Sequence, residues 1–222
     1  MPAVFVTGGT GYIGRALVRA LVDKAFDVTM LVRPGSEGKV PSGAHAVIGN
    51  ALDDLTFAAA IPSGATFVHL VGTPHPSPAK AAEFERVDLA SIRAAVKAAT
   101  RAHVAHFVYV SVAHPAPIMH AYIAVRSEGE SLVRATGIAA TILRPWYVLG
   151  PGHRWPFLLV PVYAVLGALP ATRESAERLG LVTHRAMVAA LVSAVENRPQ
   201  SGWRVVEVPG IRAAGSVTSP ER

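Results

Sequence analysis

The sequence predicts an α/β protein built on a doubly wound parallel sheet, and three observations carry that prediction. A short apolar run at residues 3–6 is followed by glycines at Gly8, Gly11 and Gly14, then by apolar residues at helical spacing. Further short apolar runs alternate with helical segments as far as residue 143. Of the 222 residues 51% are hydrophobic and only 16% charged, as a sheet covered on both faces requires.

Residues 3–6, Ala-Val-Phe-Val, carry no polar side chain, which suits a strand buried on both faces. From Tyr12, the residues Ile13, Ala16, Leu17, Ala20 and Leu21 share one helical face, so a helix is expected over 12–24. Residues 27–33 read as a second strand stopped by Pro34-Gly35-Ser36, and 44–49 as a short third. A small helix is expected over 52–61, a fourth strand over 65–71 and a proline-rich loop over 72–78. A long helix over 80–101 places Phe84, Val87, Ile92, Ala95 and Val96 on its apolar side. A fifth strand over 106–112 leads to a helix over 119–136, closed by Gly137 as its C′ residue, and to a sixth strand over 138–143. This alternation implies right-handed crossovers, with ligands beyond the C-terminal strand ends. From Arg144 the rhythm breaks into a loop over 144–152 and an apolar stretch over 155–170. An amphipathic helix over 186–196 and a last strand over 203–208 follow. One domain is expected over 1–209, with its core at 3–150 and a pocket-completing segment at 151–209; residues 210–222 read as a frayed tail.

Composition narrows the classes of function. With no cysteine there is neither a disulfide framework nor a thiolate metal site, and a cytoplasmic location is expected. The start Met-Pro-Ala-Val shows no basic leader, so no signal peptide is expected. The 155–170 stretch is shorter than a span of ~20 residues and is broken by Pro156 and Pro161, so no transmembrane segment is expected. It reads as core or a homodimer contact, with an apolar substrate pocket as the alternative. The formal charge of +6 comes from scattered arginines rather than a clustered stripe, so a small molecule and not a nucleic acid is the expected partner.

The glycines bring the first chemistry. Gly8 can take a positive φ and turn the chain out of the strand, Gly11 admits a pyrophosphate close to the backbone, and Gly14 lets helix and sheet approach. The free N–H groups of the helix's first turn then face the phosphates. The triphosphate-cradling pattern fails, because Arg15 and Ala16 stand where Lys and Ser/Thr would be. At the end of the second strand, where an acidic residue would bind the ribose hydroxyls of NAD, stands Arg33, with Ser36 and Lys39 beyond. An arginine there accommodates a 2′-phosphate, which favours NADP(H) over NAD(H).

Thr7-Gly8-Gly9-Thr10-Gly11-Tyr12-Ile13-Gly14 resembles the glycine motif of extended and atypical short-chain dehydrogenases/reductases. Further matches at Leu31-Val32-Arg33, residues 107–111, residues 128–132 and Ile142-Leu143-Arg144-Pro145 extend the resemblance over about 3–150. The pattern is most similar to atypical members, including NmrA-like proteins, epimerase/dehydratase-like proteins and the NAD(P)H-binding accessory subunit of respiratory complex I. The resemblance implies a Rossmann fold with Gly8, Thr10, Gly11, Tyr12, Ile13 and Gly14 along the cofactor. It implies Asn50 and Ala51 at the adenine edge, Val71, Gly72 and Thr73 beside a ribose, and Pro145 over the nicotinamide. Trp146 or Tyr147 would then face substrate.

For catalysis the resemblance implies Ser111 orienting the substrate oxygen and Tyr122 exchanging the proton. Arg126 stands where the family's Tyr-x-x-x-Lys motif has lysine, one helical turn from Tyr122. Arginine retains the charge that favours a phenolate, but as a planar fork rather than a mobile point charge. His75, His114, His120 and His153 fall in loops at the same end and offer alternative proton donors. No metal site is expected, since His114 and His120 have no carboxylate or cysteine beside them. The expected function is an NADP(H)-dependent oxidoreductase acting on a small apolar carbonyl or alcohol compound. The alternatives are a non-catalytic NADP(H) sensor or assembly protein, and an epimerase or dehydratase with tightly held cofactor.

Overall fold

Strand β1 (Ala3–Thr7) runs through the middle of the sheet, as its apolar sequence requires. The computed structural model describes residues 1–150 and 178–217. After β1 come α1 (Tyr12–Asp23), β2 (Asp27–Val32), β3 (His45–Ile48) and β4 (Thr66–His69). A helical run then joins α2 (Ala81–Glu83), a π-helical turn (Phe84–Leu89) and α3 (Ala90–Arg101). Next are β5 (His106–Val110), α4 (His120–Ala135), β6 (Ala140–Arg144) and β7 (Tyr147–Leu149). The remaining described elements are β8 (Leu181–Thr183), α5 (His184–Glu196), β9 (Trp203–Glu207) and α6 (Val208–Val217).

Seven of these strands form one sheet in the order β3-β2-β1-β4-β5-β6-β9, with every neighbouring pair parallel. The chain winds outward from β1 to β3, then returns to β4 on the other side of β1. A crevice therefore opens between the C-terminal ends of β1 and β4, the topological switch point. Alternation along β1 sends Val4 and Val6 to one face and Phe5 to the other. On the first face the buried Leu17, Val18 and Leu21 of α1 pack with Leu191 of α5 and Ile211 of α6. On the second, Phe5, Phe67 and Phe107 lie in register and stack, with centroids 5.5 and 5.1 Å apart. Such aromatic pairs contribute about 0.5–1.5 kcal/mol beyond the area they bury.

Four expectations are corrected. Residues 52–61 form two 3-10 turns, Asp54–Thr56 and Ala58–Ala60, instead of a small helix. Polar side chains capture the backbone there: Asn50 Oδ1 accepts from the Leu52 N–H at 3.0 Å and Asp53 Oδ1 from the Leu55 N–H at 3.1 Å. The long helix over 80–101 is interrupted by the π-helical turn. The loop expected from Arg144 contains β7, which pairs in parallel with β8 as a separate two-stranded sheet. The frayed tail is helix α6 as far as Val217, because Val208 and Ile211 are fully buried beneath it. The 155–170 stretch, and with it the homodimer expectation, lies outside the described residues, as does His153. No helix among the described residues is long and apolar enough to cross a membrane.

Candidate active site

The glycine loop between β1 and α1 is held by steric necessity. Gly8 has φ +77°, and a Cβ on it would lie 2.8 Å from the Leu70 carbonyl carbon at the end of β4. A Cβ on Gly14 would strike the Gly8 carbonyl oxygen and stand 2.7 Å from Gly9 Cα. Helix α1 has Gly11 as its N-cap, which brings no side-chain cap, and its first turn, Tyr12 to Gly14, lines the crevice.

Two cavities meet at this loop. The first, of about 560 Å³, runs over the ends of β1, β2 and β3. It is lined by Gly8, Thr10, Gly11, Arg33, Asn50, Ala51, Val71 and Gly72. The second, of about 390 Å³, runs over the ends of β4, β5 and β6. Gly8, Gly11, Tyr12, Ile13, Gly14, Gly72, Thr73 and Pro145 line it, together with Ser111, Tyr122, Arg126, His75 and Trp146. Tyr147 lines neither; it packs edge-on against Trp146, centroids 5.5 Å apart. A third cavity of about 710 Å³ lies between α1 and α5, away from the strand ends, with a mostly apolar lining that includes Ala16, Ala20, Val188 and Val192.

Arg33 is exposed at the mouth of the first cavity and makes no ion pair among the described residues. Asn50 spends its side-chain oxygen on the turn described above, leaving its amide N–H groups for a ligand. Tyr12 packs its ring on His184, centroids 4.3 Å apart, while His184 Nε2 donates to the Tyr12 carbonyl at 3.1 Å. That contact ties the first turn of α1 to the start of α5. Burial raises the Tyr12 phenol above its ordinary pKa.

Beneath the second cavity, two buried charged groups decide what the predicted catalytic residues can do. Arg126 is 5% exposed. Its Nη2 donates to Asp88 Oδ1 at 2.6 Å and its Nη1 to the Val110 carbonyl at 3.0 Å. Burial opposes the guanidinium's charge, but Tyr122, Tyr109 and Asp88 outweigh it and raise its pKa. The guanidinium also lies over the Tyr122 ring, 5.1 Å from the centroid, and Phe84 packs against that ring at 4.9 Å. The expected help from Arg126 to a Tyr122 phenolate is thus already largely offset by a carboxylate. Asp88 itself sits on the π-helical turn, and its Oδ2 accepts from the Thr73 N–H at 3.0 Å and hydroxyl at 2.6 Å.

Ser111, 3% exposed, donates its hydroxyl proton to Glu130 Oε1 at 2.7 Å. Glu130 also accepts from Arg144 Nε at 2.8 Å, Arg144 Nη2 at 2.5 Å and Arg134 Nη2 at 2.8 Å. Burial pushes the Glu130 carboxyl up, but the Arg144 and Ser111 hydrogen bonds, with the charges of Arg144 and His114, hold it below its ordinary value. An ionised carboxylate only accepts, so the Ser111 proton is committed to it. Ser111 consequently presents lone pairs to the cavity: it accepts from a ligand rather than donating to a carbonyl oxygen.

A third buried group braces the strand ends. His69 Nδ1 lies 2.8 Å from Thr7 Oγ1 and its Nε2 3.3 Å from Ser91 Oγ. Ser91 donates its own proton to the Asp88 carbonyl, so His69 donates from Nε2 and accepts at Nδ1. Burial first, then the Arg126 charge, lowers the His69 pKa to about 3 and keeps it neutral. Among the other histidines, His75 lines the second cavity with φ +50°, and His114 Nε2 is 3.6 Å from Glu130 Oε1. His120 is exposed at the start of α4. No three metal-ligating side chains cluster among the described residues.

Sequence reasoning missed Asp88, Glu130 and His69. A signal for Glu130 was present: Arg126 and Glu130 lie one turn apart, on the α4 face that also carries Val125, Gly129 and Val133. Charges on an apolar helix face need buried partners.

Comparisons with known proteins agree with this geometry. The family model described as NAD(P)H-binding matches residues 8–154. The chain is 33% identical over 222 residues to the ceramide reductase of Caulobacter vibrioides, covering 96% of this chain and 66% of that one. It is 28% identical over 168 residues to the 4-hydroxy-2-methyl-3-oxo-4-farnesyl-3,4-dihydroquinoline-1-oxide ketoreductase of Stigmatella aurantiaca, covering 66% and 50%. The chain therefore spans just under two thirds of the first relative's length and half of the second's. The fold matches WbmH of Bordetella bronchiseptica in complex with NAD⁺, with a TM-score of 0.69, 18% identity and coverage of 93% and 75%. It also matches UDP-N-acetylglucosamine 4-epimerase of Bacillus cereus, with a TM-score of 0.67, 14% identity and coverage of 93% and 79%. With the glycine loop, the uncapped helix and the crevice at the switch point in place, the chain belongs to the NAD(P)H-binding family.

Proposed function

We propose that this chain is an NADP(H)-dependent oxidoreductase that interconverts a carbonyl and an alcohol on a predominantly apolar substrate. The observation that carries the reading is the meeting of two cavities at the glycine loop, one ending at Arg33 and the other at Ser111 and Tyr122. The N-terminus of α1, which has no side-chain cap, suits a pyrophosphate. The nicotinamide, when bound, supplies the hydride. Arg33 would hold the 2′-phosphate, and Asn50 and Ala51 would border the adenine. Pro145 would cover the nicotinamide end, while Trp146 supplies an apolar wall. Tyr122 would exchange the proton and Ser111 would accept a hydrogen bond from the alcohol. Two relatives are named as reductases of a ceramide and of a farnesyl-bearing quinoline oxide, and both names describe compounds with apolar chains.

One observation favours a second reading. Because Arg126 is paired with Asp88, Tyr122 has no free cationic neighbour of the kind the lysine of a Tyr-x-x-x-Lys motif supplies. A cofactor-binding protein without turnover would tolerate that arrangement. The test is NADPH oxidation across a panel of apolar ketones, in the wild type and in Tyr122→Phe. Turnover that falls at least about 100-fold in the variant supports the proton role, since general acid–base catalysis contributes about 10²–10⁴. Unchanged turnover removes Tyr122 from the mechanism, and NADPH binding with no turnover on any ketone favours the second reading.

A further inference from the structure

The β4 end, residues 71–73, forms the boundary that the two cavities share, and a buried pair under it is tied to three other elements. A Cβ on Gly72 would strike Arg126 Nη2 and lie 3.2 Å from Asp88 Oδ1, so the backbone rests directly on the ion pair. Asp88 takes both the N–H and the hydroxyl of Thr73. Arg126 reaches across to the Val110 carbonyl at the end of β5. Both side chains are nearly completely buried, 6% exposed for Arg126 and 0% for Asp88, and Asp88 lines neither cavity. A π-helical turn, a feature frequent at functional sites, presents Asp88 at this point.

We infer that Asp88 is a positioning residue of the dinucleotide site that acts chiefly on the nicotinamide half of the ligand. Through Thr73 and Arg126 it sets the spacing of the β4 and β5 ends, where the nicotinamide and its ribose would lie. The adenine half rests on Arg33, Asn50 and Ala51, which make no hydrogen bond to the pair; the pair reaches that side only through the Val71 carbonyl, 3.5 Å from Arg126 Nη2, and the backbone of Gly72. The inference rests on the reading of the groove as an NADP(H) site. In Asp88→Asn the charge goes but the shape stays, and Arg126 loses its neutralising partner.

The experiment compares the affinity of NADPH with that of adenosine 2′,5′-bisphosphate, which fills the adenine half alone, by calorimetry on the intact chain. Asp88→Asn is expected to weaken NADPH about tenfold or more, the scale of a lost charged hydrogen bond, and to leave the bisphosphate within about twofold. Thr73→Val removes one hydroxyl and leaves the ion pair intact; it is expected to weaken NADPH about threefold with the same selectivity, and it serves if Asp88→Asn does not fold. Equal losses for both ligands would mean general loosening and overturn the inference, as would no loss for either. A wild-type chain that binds neither ligand would overturn the NADP(H) reading and this inference with it.

Discussion

Arg33→Ala is the substitution that separates NADP(H) from NAD(H) in this chain. The side chain is exposed at the cavity mouth and makes no ion pair among the described residues, so its charge is available to a ligand. A hydrogen bond to a charged group contributes ~1.5–3 kcal/mol. Solvent screening at an exposed site favours the lower end, about 1.5 kcal/mol, or roughly tenfold in affinity for NADPH. NADH has no phosphate at that position and loses nothing. In a thermal titration, NADPH at 100 times its Kd stabilises the wild type by about 2.7 kcal/mol. The same concentration is about 10 times the variant's Kd and stabilises it by about 1.4 kcal/mol. At ~2–4 °C per kcal/mol for a chain of this size, the shift in Tm falls from about 5–11 °C to about 3–6 °C. Raising the salt concentration is expected to narrow the gap. If NADH stabilises the wild type as strongly as NADPH, or if Arg33→Ala weakens both alike, the 2′-phosphate argument is wrong.

Three further outcomes are expected. Gly14→Ala puts a Cβ against the Gly8 carbonyl and Gly9 Cα, so it is expected to abolish measurable dinucleotide binding; a variant that is folded by circular dichroism and binds NADPH normally would contradict this. Glu130→Gln leaves Arg144 and Arg134 facing an amide N–H₂ group and is expected to cost about 3 kcal/mol by chemical denaturation, the low end for a broken buried pair because Arg144 keeps Glu207. Stability is also expected to fall between pH 7 and pH 5, because burial depresses His69 to about 3 and His106 to about 4. Their unfolded forms take up protons from about pH 6.5 downward while the folded forms do not, so the loss grows as pH falls, at about 2 kcal/mol per histidine by pH 5. A His106→Phe variant that keeps the full pH dependence would refute that assignment.

The parallel sheet and the glycine loop were legible because both write local patterns: short, mainly apolar runs, and glycines where a Cβ meets backbone. Segments whose structure depends on distant partners were not. Strand β7 has three residues and exists by pairing with β8, more than thirty positions away. Helix α6 carries two glycines and a proline, Pro209, Gly210 and Gly215, which read as tail; its contacts with α5 outweigh that poor propensity. The family resemblance implied Ser111, Tyr122 and Arg126 at one site, and all three line one cavity. Their partners did not follow as readily: Asp88 looks like a solvated charge until the tertiary fold buries it, and Glu130 is marked only by its place on the apolar face of α4.

The two buried carboxylates explain why familiar residues at this corner have unfamiliar options. An arginine in the lysine position would be a hazard if buried alone, because an unpaired charge is far costlier to bury than a paired one. Asp88 removes that cost, but in doing so it converts a free charge into a brace between the β4 and β5 ends. Glu130 does the same to Ser111, fixing its proton toward the protein interior. The polar groups left for a ligand are then few: the Tyr122 hydroxyl and the Ser111 lone pairs. A substrate carbonyl can find its donor at Tyr122 but not at Ser111, whereas an alcohol can bond to Ser111 as well. Ser111→Ala should therefore weaken an alcohol more than the matching ketone, by about the ~1 kcal/mol of one neutral hydrogen bond. Dissociation constants of the two in their non-reacting complexes, the alcohol with the reduced and the ketone with the oxidised cofactor, read that difference directly; a ketone hit as hard as its alcohol would return the Ser111 proton to the cavity.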